Sequence, residues 1–74
     1  MPKLPRITSK KLLKALKKYW YIIDHQTWSH IILYHEEKDF PIVVPNHTKD
    51  LKTWTLSRII KDAWISVKEL IELL

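Results

Sequence analysis

The spacing of apolar residues changes twice along this chain, and that change constrains the fold more than any other feature. From Leu12 to Tyr19 apolar residues recur at three- and four-residue intervals, which predicts an amphipathic helix with lysines on its opposite face. Thr8 and Ser9 precede the helix and are candidate N-caps. Short segments rich in β-forming residues come next, and two helical patterns end the chain. The 74 residues suffice for one domain, so we expect a single domain over 1–74.

The middle of the chain predicts three strands. They cover residues 21–26, 29–35 and 40–45, where β-branched and aromatic side chains concentrate between polar turns. Pro41 and Pro45 bracket the third strand. Proline lacks the N–H that an inner strand must donate to its neighbours, so we expect this strand at an edge of the sheet.

Two helical patterns follow the strands. Thr53 or Thr55 can cap the first of them. Ser66 and Glu69 form a capping-box pattern that opens a last short helix over 67–74. The order is α-β-β-β-α plus a short C-terminal helix. It predicts an α+β fold in which helices pack on one face of a three-stranded antiparallel sheet, as in double-stranded-RNA-binding domains.

Positive charge is concentrated at the start of the chain. Thirteen lysines and arginines against eight aspartates and glutamates give a formal net charge of +5. No acidic residue precedes Asp24, whereas seven basic ones do: Lys3, Arg6, Lys10, Lys11, Lys14, Lys17 and Lys18. Such clustering favours a polyanionic partner, with nucleic acid ahead of a membrane surface. The alternative is a solvated lysine face that only keeps the domain soluble.

The composition excludes several kinds of chemistry. The chain has no cysteine, which rules out disulfides, zinc–thiolate sites and thiol catalysis. Small secreted domains usually depend on disulfides, so we expect this protein in a reducing cytoplasm. No apolar run approaches the roughly 20 residues that cross a bilayer, so we expect no membrane partner. The spacing of His25 and His30 is not typical of metal ligands, and no carboxylate completes a metal site with them. We therefore expect neither a metal nor another cofactor.

Five segments in order carry a family resemblance. They are Pro5 to Lys10, Gln26 to His30, Val44 to His47, Leu51 to Ile60 and Ala63 to Leu74. In that order they resemble the R-x-T-G-K-E, Q-x-G-S-H, V-P-x-H, L-K-x-G-T-L-R-x-I-L and A-G-I-S-x-E-E-F-L-E-L-L motifs of the HicA toxin family, also called YcfA-like mRNA interferases. Each motif alone is weak, whereas five in the right order over almost the whole chain are a strong signal.

The resemblance implies the toxin of a type II toxin–antitoxin system, a metal-independent endoribonuclease that cleaves mRNA with a catalytic histidine. His30 matches that histidine, and a HicB-type antitoxin protein would normally hold the toxin inactive. The chemistry suits RNA, which carries its own nucleophile in the 2′-OH. Cleavage then needs a base, an acid and cations, and histidine exchanges protons near neutral pH.

Other polar residues are candidates for supporting roles. Ser29 can orient His30 or bond a phosphate, or can be only a turn residue. His47 is a candidate second acid or base, although a loop histidine is often merely exposed. The candidates for RNA phosphate contacts are Lys10, Lys11, Lys14, Lys49, Lys52 and Arg58. A non-catalytic double-stranded RNA-binding module and a protein-interaction domain remain as competing interpretations.

The chain departs from the family in having no glycine while carrying four tryptophans. Trp20, Trp28, Trp54 and Trp64 stand where the family pattern has glycine, the residue suited to positive φ and to close backbone approach. We hypothesise that UGA encodes glycine in the source organism and that these four codons have been translated as tryptophan. The alternative is four genuine tryptophans that form a surface patch. UGG codons at these positions in the gene would exclude the hypothesis.

Overall fold

Three helices and three strands follow one another in the order that the sequence pattern predicted. The computed structural model describes residues 4–74, so Lys3 of the basic start lies outside the described residues. The elements are α1 (Ser9–Lys18), β1 (Ile22–Gln26), β2 (His30–Tyr34), β3 (Ile42–Pro45), α2 (Thr53–Asp62) and α3 (Val67–Leu73). The α+β prediction is confirmed, and each strand is one or two residues shorter than its predicted segment.

The strands form one antiparallel sheet in the order β1-β2-β3, which confirms the edge position predicted for β3. His30 lies opposite Pro45 in the β2–β3 register, and the Asn46 N–H donates to the Ser29 carbonyl at 2.9 Å. Along an antiparallel strand, successive residues point their backbone N–H and C=O groups alternately to one side and to the other. Because Asn46 bonds to β2, the backbone groups of Pro45, and of Pro41 four residues before it, face the free edge. The two prolines therefore stand where the sheet needs no N–H donor.

The core lies between the sheet and the helices. The inward residues of the central strand, Ile31 and Leu33, are buried together with Leu12 and Leu16 of α1. Further members of the core are Val44, Leu56, Ile59, Ile60, Ala63 and Leu70. Burying a side chain of the size of leucine or isoleucine contributes about 1.5–3 kcal/mol relative to exposure, so this layer supplies most of the drive to fold.

The helix starts confirm two of the predicted caps and correct a third. Thr8 caps α1, with its side chain accepting from the Lys11 N–H at 3.3 Å. Ser66 and Glu69 form the predicted capping box of α3. The prediction that a threonine caps α2 is wrong, because the N-cap is Lys52 and makes no side-chain cap bond. Lys52 is extended and the helix starts at Thr53, so both threonines already lie inside it.

The C-terminal end of α1 places a tryptophan in the left-handed region of backbone space. Trp20 follows the C-cap and has a φ of 73°. Its N–H donates to the Lys17 carbonyl at 3.1 Å, and the next N–H, of Tyr21, reaches back to the Leu16 carbonyl at 3.0 Å. This pair of bonds is the Schellman motif, in which the residue after the C-cap is usually glycine.

The end of α2 repeats this arrangement. Trp64 has a φ of 60°, and the Ile65 N–H donates to the Ile60 carbonyl at 2.9 Å. Trp20 and Trp64 are 78% and 76% exposed, so neither side chain is buried in compensation for its backbone conformation. Two of the four tryptophans therefore occupy backbone positions that favour glycine.

Candidate active site

A groove runs between the free edge of β3 and helix α2, with the start of β2 at one end. It has a volume of about 970 Å³ and is open to solvent. Six residues that the sequence singled out line it together: Ser29, His30, His47, Lys49, Lys52 and Arg58. These residues come from three separate parts of the chain, so the fold itself assembles the cluster.

The turn between β1 and β2 leads directly into His30, which lines this groove. Thr27 closes the turn, because its N–H donates to the His30 carbonyl at 2.8 Å. Its hydroxyl oxygen accepts from the His30 N–H at 3.1 Å. His30 is the first residue of β2 and its side chain is exposed. The backbone of His30 is thus fixed from both sides while its ring is free to meet a ligand.

Ser29 contacts the His30 ring directly. The Ser29 Oγ lies 2.9 Å from His30 Nδ1, within hydrogen-bond distance. If Nδ1 carries the proton, it donates to the hydroxyl oxygen and leaves Nε2 with a free lone pair. If the hydroxyl donates instead, Nε2 carries the proton. Ser29 can therefore set which proton-transfer role the outer nitrogen of His30 is able to play.

The loop after β3 carries His47 and Lys49 and is fastened at both ends to the start of the chain. At its far end the Leu51 N–H donates to the Ile7 carbonyl at 2.8 Å, and Thr8 forms a β-bridge with Asp50. At its near end the His47 N–H donates to the hydroxyl of Ser9 at 3.1 Å. This loop is therefore bonded at both ends although it contains no helix or strand.

The basic residues of the groove are available to a ligand. Within residues 4–74 one salt bridge is present, between Asp24 and His25, so the cations of the groove are not paired with carboxylates. Asp50 and Asp62 also line the groove, against the three cations Lys49, Lys52 and Arg58. The lining has a net positive charge, which favours an anion such as a phosphate group.

The lysines predicted on the first helix lie elsewhere. Lys10, Lys11 and Lys14 are exposed on α1 and do not line the groove. The six candidate phosphate-binding residues therefore divide into two groups, with three at the groove and three on α1. The structure does not bring these two groups together in one site.

Several residues of the groove were missed by reasoning from sequence. Thr55, Ile59 and Asp62 line it from α2 together with Arg58. Residues three, four and seven apart share one face of a helix, so this stripe was open to prediction once α2 was placed. Pro41 and Val43 form part of the β3 wall. Their place in the groove depends on how α2 lies beside the β3 edge, which gives no local sequence signal.

Two further findings concern ligands and membranes. No group of three or more histidine, aspartate or glutamate side chains in residues 4–74 is arranged to hold a metal ion. Among the helices of the same residues, none has the length and apolar character needed to cross a membrane.

Comparison with known proteins identifies the class to which this fold and groove belong. The family model described as HicA toxin of bacterial toxin-antitoxin matches residues 9–65. That range covers most of the chain and includes all six groove residues named above, so the chain belongs to the HicA toxin family. HicA toxins are known as ribonucleases, and membership implies an antitoxin partner. A comparison with curated protein sequences finds no match.

Proposed function

We propose that this protein is a metal-independent endoribonuclease that cleaves mRNA, with His30 as its catalytic residue. The observation that supports the proposal is that two exposed histidines and three unpaired cations line one groove. Membership of the HicA toxin family supports a toxin role. The site of action would be the cytoplasm, where mRNA is found.

The reaction we propose uses the nucleophile that RNA itself provides. A base removes the proton of a 2′-OH, the 2′-oxygen attacks the neighbouring phosphorus, and the bond from phosphorus to the 5′-oxygen of the next nucleotide breaks. An acid protonates that leaving oxygen. The products are a 2′,3′-cyclic phosphate and a 5′-hydroxyl, and no group outside the RNA and the protein is consumed.

His30 is suited to the role of base when Ser29 accepts a hydrogen bond from Nδ1. The 2.9 Å contact then holds the ring in the form whose Nε2 has a free lone pair. His47, which lines the same groove, would be the acid for the leaving oxygen. Lys49, Lys52 and Arg58 would stabilise the charge that grows on the phosphate oxygens in the transition state.

A HicB-type antitoxin would inhibit the enzyme by covering the groove. The lining combines cations with the exposed wall of Pro41 and Val43. An inhibitor that fits it needs carboxylates opposite Lys49, Lys52 and Arg58 and apolar contacts opposite the β3 edge. Such an inhibitor would exclude RNA by occupying the same surface.

The experiment that tests the proposal compares three proteins on one long mRNA in the presence of EDTA. The unaltered protein should cleave the RNA, and His30→Ala should not. His25→Ala is the matched control, because His25 is an exposed histidine that contacts Asp24 and does not line the groove. It should cleave at the unaltered rate.

The products and the inactive variant distinguish the competing functions. Cleavage products that end in a 2′,3′-cyclic phosphate would support the reaction above. Equal cleavage by His30→Ala would refute the role of His30. Intact RNA with all three proteins, together with salt-sensitive binding, would instead favour a non-catalytic RNA-binding module.

A further inference from the structure

Ser9 lies at a junction between α1 and the histidine-bearing loop. It is the first residue of α1 and is only 2% exposed, whereas serine is mostly exposed in proteins. Its hydroxyl donates to the Pro45 carbonyl and accepts from the His47 N–H at 3.1 Å. A hydroxyl has one proton and free lone pairs, so a single Ser9 side chain serves both partners.

These two bonds fix the backbone on either side of Asn46. The Asn46 N–H points the opposite way and donates to the Ser29 carbonyl at 2.9 Å. Three successive residues are therefore held alternately by Ser9 and by Ser29. Ser29 also contacts the His30 ring, so one short network connects the start of α1 to both histidines of the groove.

We propose that Ser9 is a positioning residue that holds His47 in the groove that His30 also lines. The inference rests on the proposed function, in which the two histidines act on one phosphate. The Ser9 side chain is buried and does not line the groove, so it does not touch RNA. It acts through the backbone of His47, whose side chain is exposed, because its hydroxyl holds the near end of the loop.

The test is a double-mutant cycle that combines Ser9→Ala with His47→Ala. Alanine keeps the size of the serine side chain apart from the oxygen. Displacement of a catalytic group by about 1 Å can cost as much as 10²-fold in rate, so we expect Ser9→Ala to lower kcat by about tenfold or more, with little change in KM. In the His47→Ala background the same change should have no further effect, because its target is already gone.

A second readout does not depend on activity. The His47 amide proton should exchange with solvent faster in Ser9→Ala than in the unaltered protein, while the Leu51 amide, bonded to Ile7, should keep its protection. Ser57→Ala is the matched control, since Ser57 is exposed on α2 and outside the groove lining. It should change neither kcat nor the exchange of His47.

The outcomes separate this inference from the proposed function. If the unaltered protein does not cleave RNA, or His30→Ala still does, the proposed function fails. If His30→Ala is inactive but Ser9→Ala cleaves at the unaltered rate, or loses equally in both backgrounds, the role of Ser9 is refuted. Should Ser9→Ala fail to fold, Ser9→Cys replaces the hydroxyl by a somewhat larger thiol, which is a weaker donor and acceptor. A kcat for Ser9→Cys equal to that of the unaltered protein would also overturn the inference.

Discussion

Replacing Trp20 by glycine should stabilise the protein. A non-glycine residue in left-handed backbone conformation costs roughly 1–2 kcal/mol because its Cβ crowds the following carbonyl. Trp20 has a φ of 73° and a side chain that is 78% exposed, so little packing is lost with it. Glycine loses more backbone entropy on folding, about 0.5–1 kcal/mol, which offsets part of the gain. The net expectation is an increase of about 0.5–1 kcal/mol in the free energy of unfolding.

Trp64→Gly should also raise the free energy of unfolding, but by less than Trp20→Gly. Trp64 has a φ of 60°, but the Lys38 ammonium lies 5.7 Å from the centroid of its ring. Such a cation–π contact contributes about 0.5–1 kcal/mol at an exposed site, and glycine removes it. Because the two residues end different helices, their effects should add in the double variant.

Urea unfolding monitored by circular dichroism measures these changes. For a slope of about 1 kcal/mol per M, each 0.5 kcal/mol raises the midpoint by about 0.5 M. Trp54→Gly is the control, because Trp54 lies inside α2 and is 67% exposed, so the same substitution should destabilise the helix. If Trp20→Gly lowers the midpoint as Trp54→Gly does, the argument from backbone conformation is refuted.

The hypothesis that UGA encodes glycine in the source organism has its own test. UGA codons at all four positions, and glycine in the mass spectrum of the native protein, would establish it.

Three further predictions concern stability and RNA binding. Burial, the nearby Tyr19 and the Asp62 carboxylate raise the pKa of Tyr21, so the folded state keeps the phenol proton to higher pH than the unfolded state does. The free energy of unfolding should therefore fall as the pH rises from about 10. In urea unfolding at several pH values, Tyr21→Phe should make that fall less steep. Ser66→Ala removes the capping box of α3 and should lower the free energy of unfolding by about 1 kcal/mol, a loss that an unchanged urea midpoint would contradict. RNA binding can be measured in the His30→Ala background as a plot of the logarithm of the binding constant against the logarithm of the salt concentration. Lys52→Ala should reduce the slope of that plot by about one, whereas Lys68→Ala on α3 should leave it unchanged. Equal effects of the two substitutions would argue against RNA binding in the groove.

The fold was predictable because local patterns and global packing agree. The period of three to four residues in α1 predicted the burial of Leu12 and Leu16, and the prolines around β3 predicted its edge position. The capping box of Ser66 and Glu69 was predictable from four residues of sequence. The cap of α2 was the exception, because its N-cap is a lysine that makes no side-chain cap bond. Leu51, just before it, bonds instead to Ile7, which is far away in sequence.

The candidate site was predictable only in part, for the same physical reason. Residue type narrowed the candidates to histidines and basic residues, since few side chains can exchange protons or neutralise phosphate near neutral pH. The family resemblance then singled out His30 among the four histidines. Which of the lysines share a groove with His30 depends on how the β3 edge meets α2, and no local pattern encodes that meeting. Ser9 shows the limit most clearly. Its sequence neighbours indicate a helix start, yet its hydroxyl bonds to backbone groups 36 and 38 residues away. A role carried by such a bond becomes visible only when the folded chain brings the two segments together.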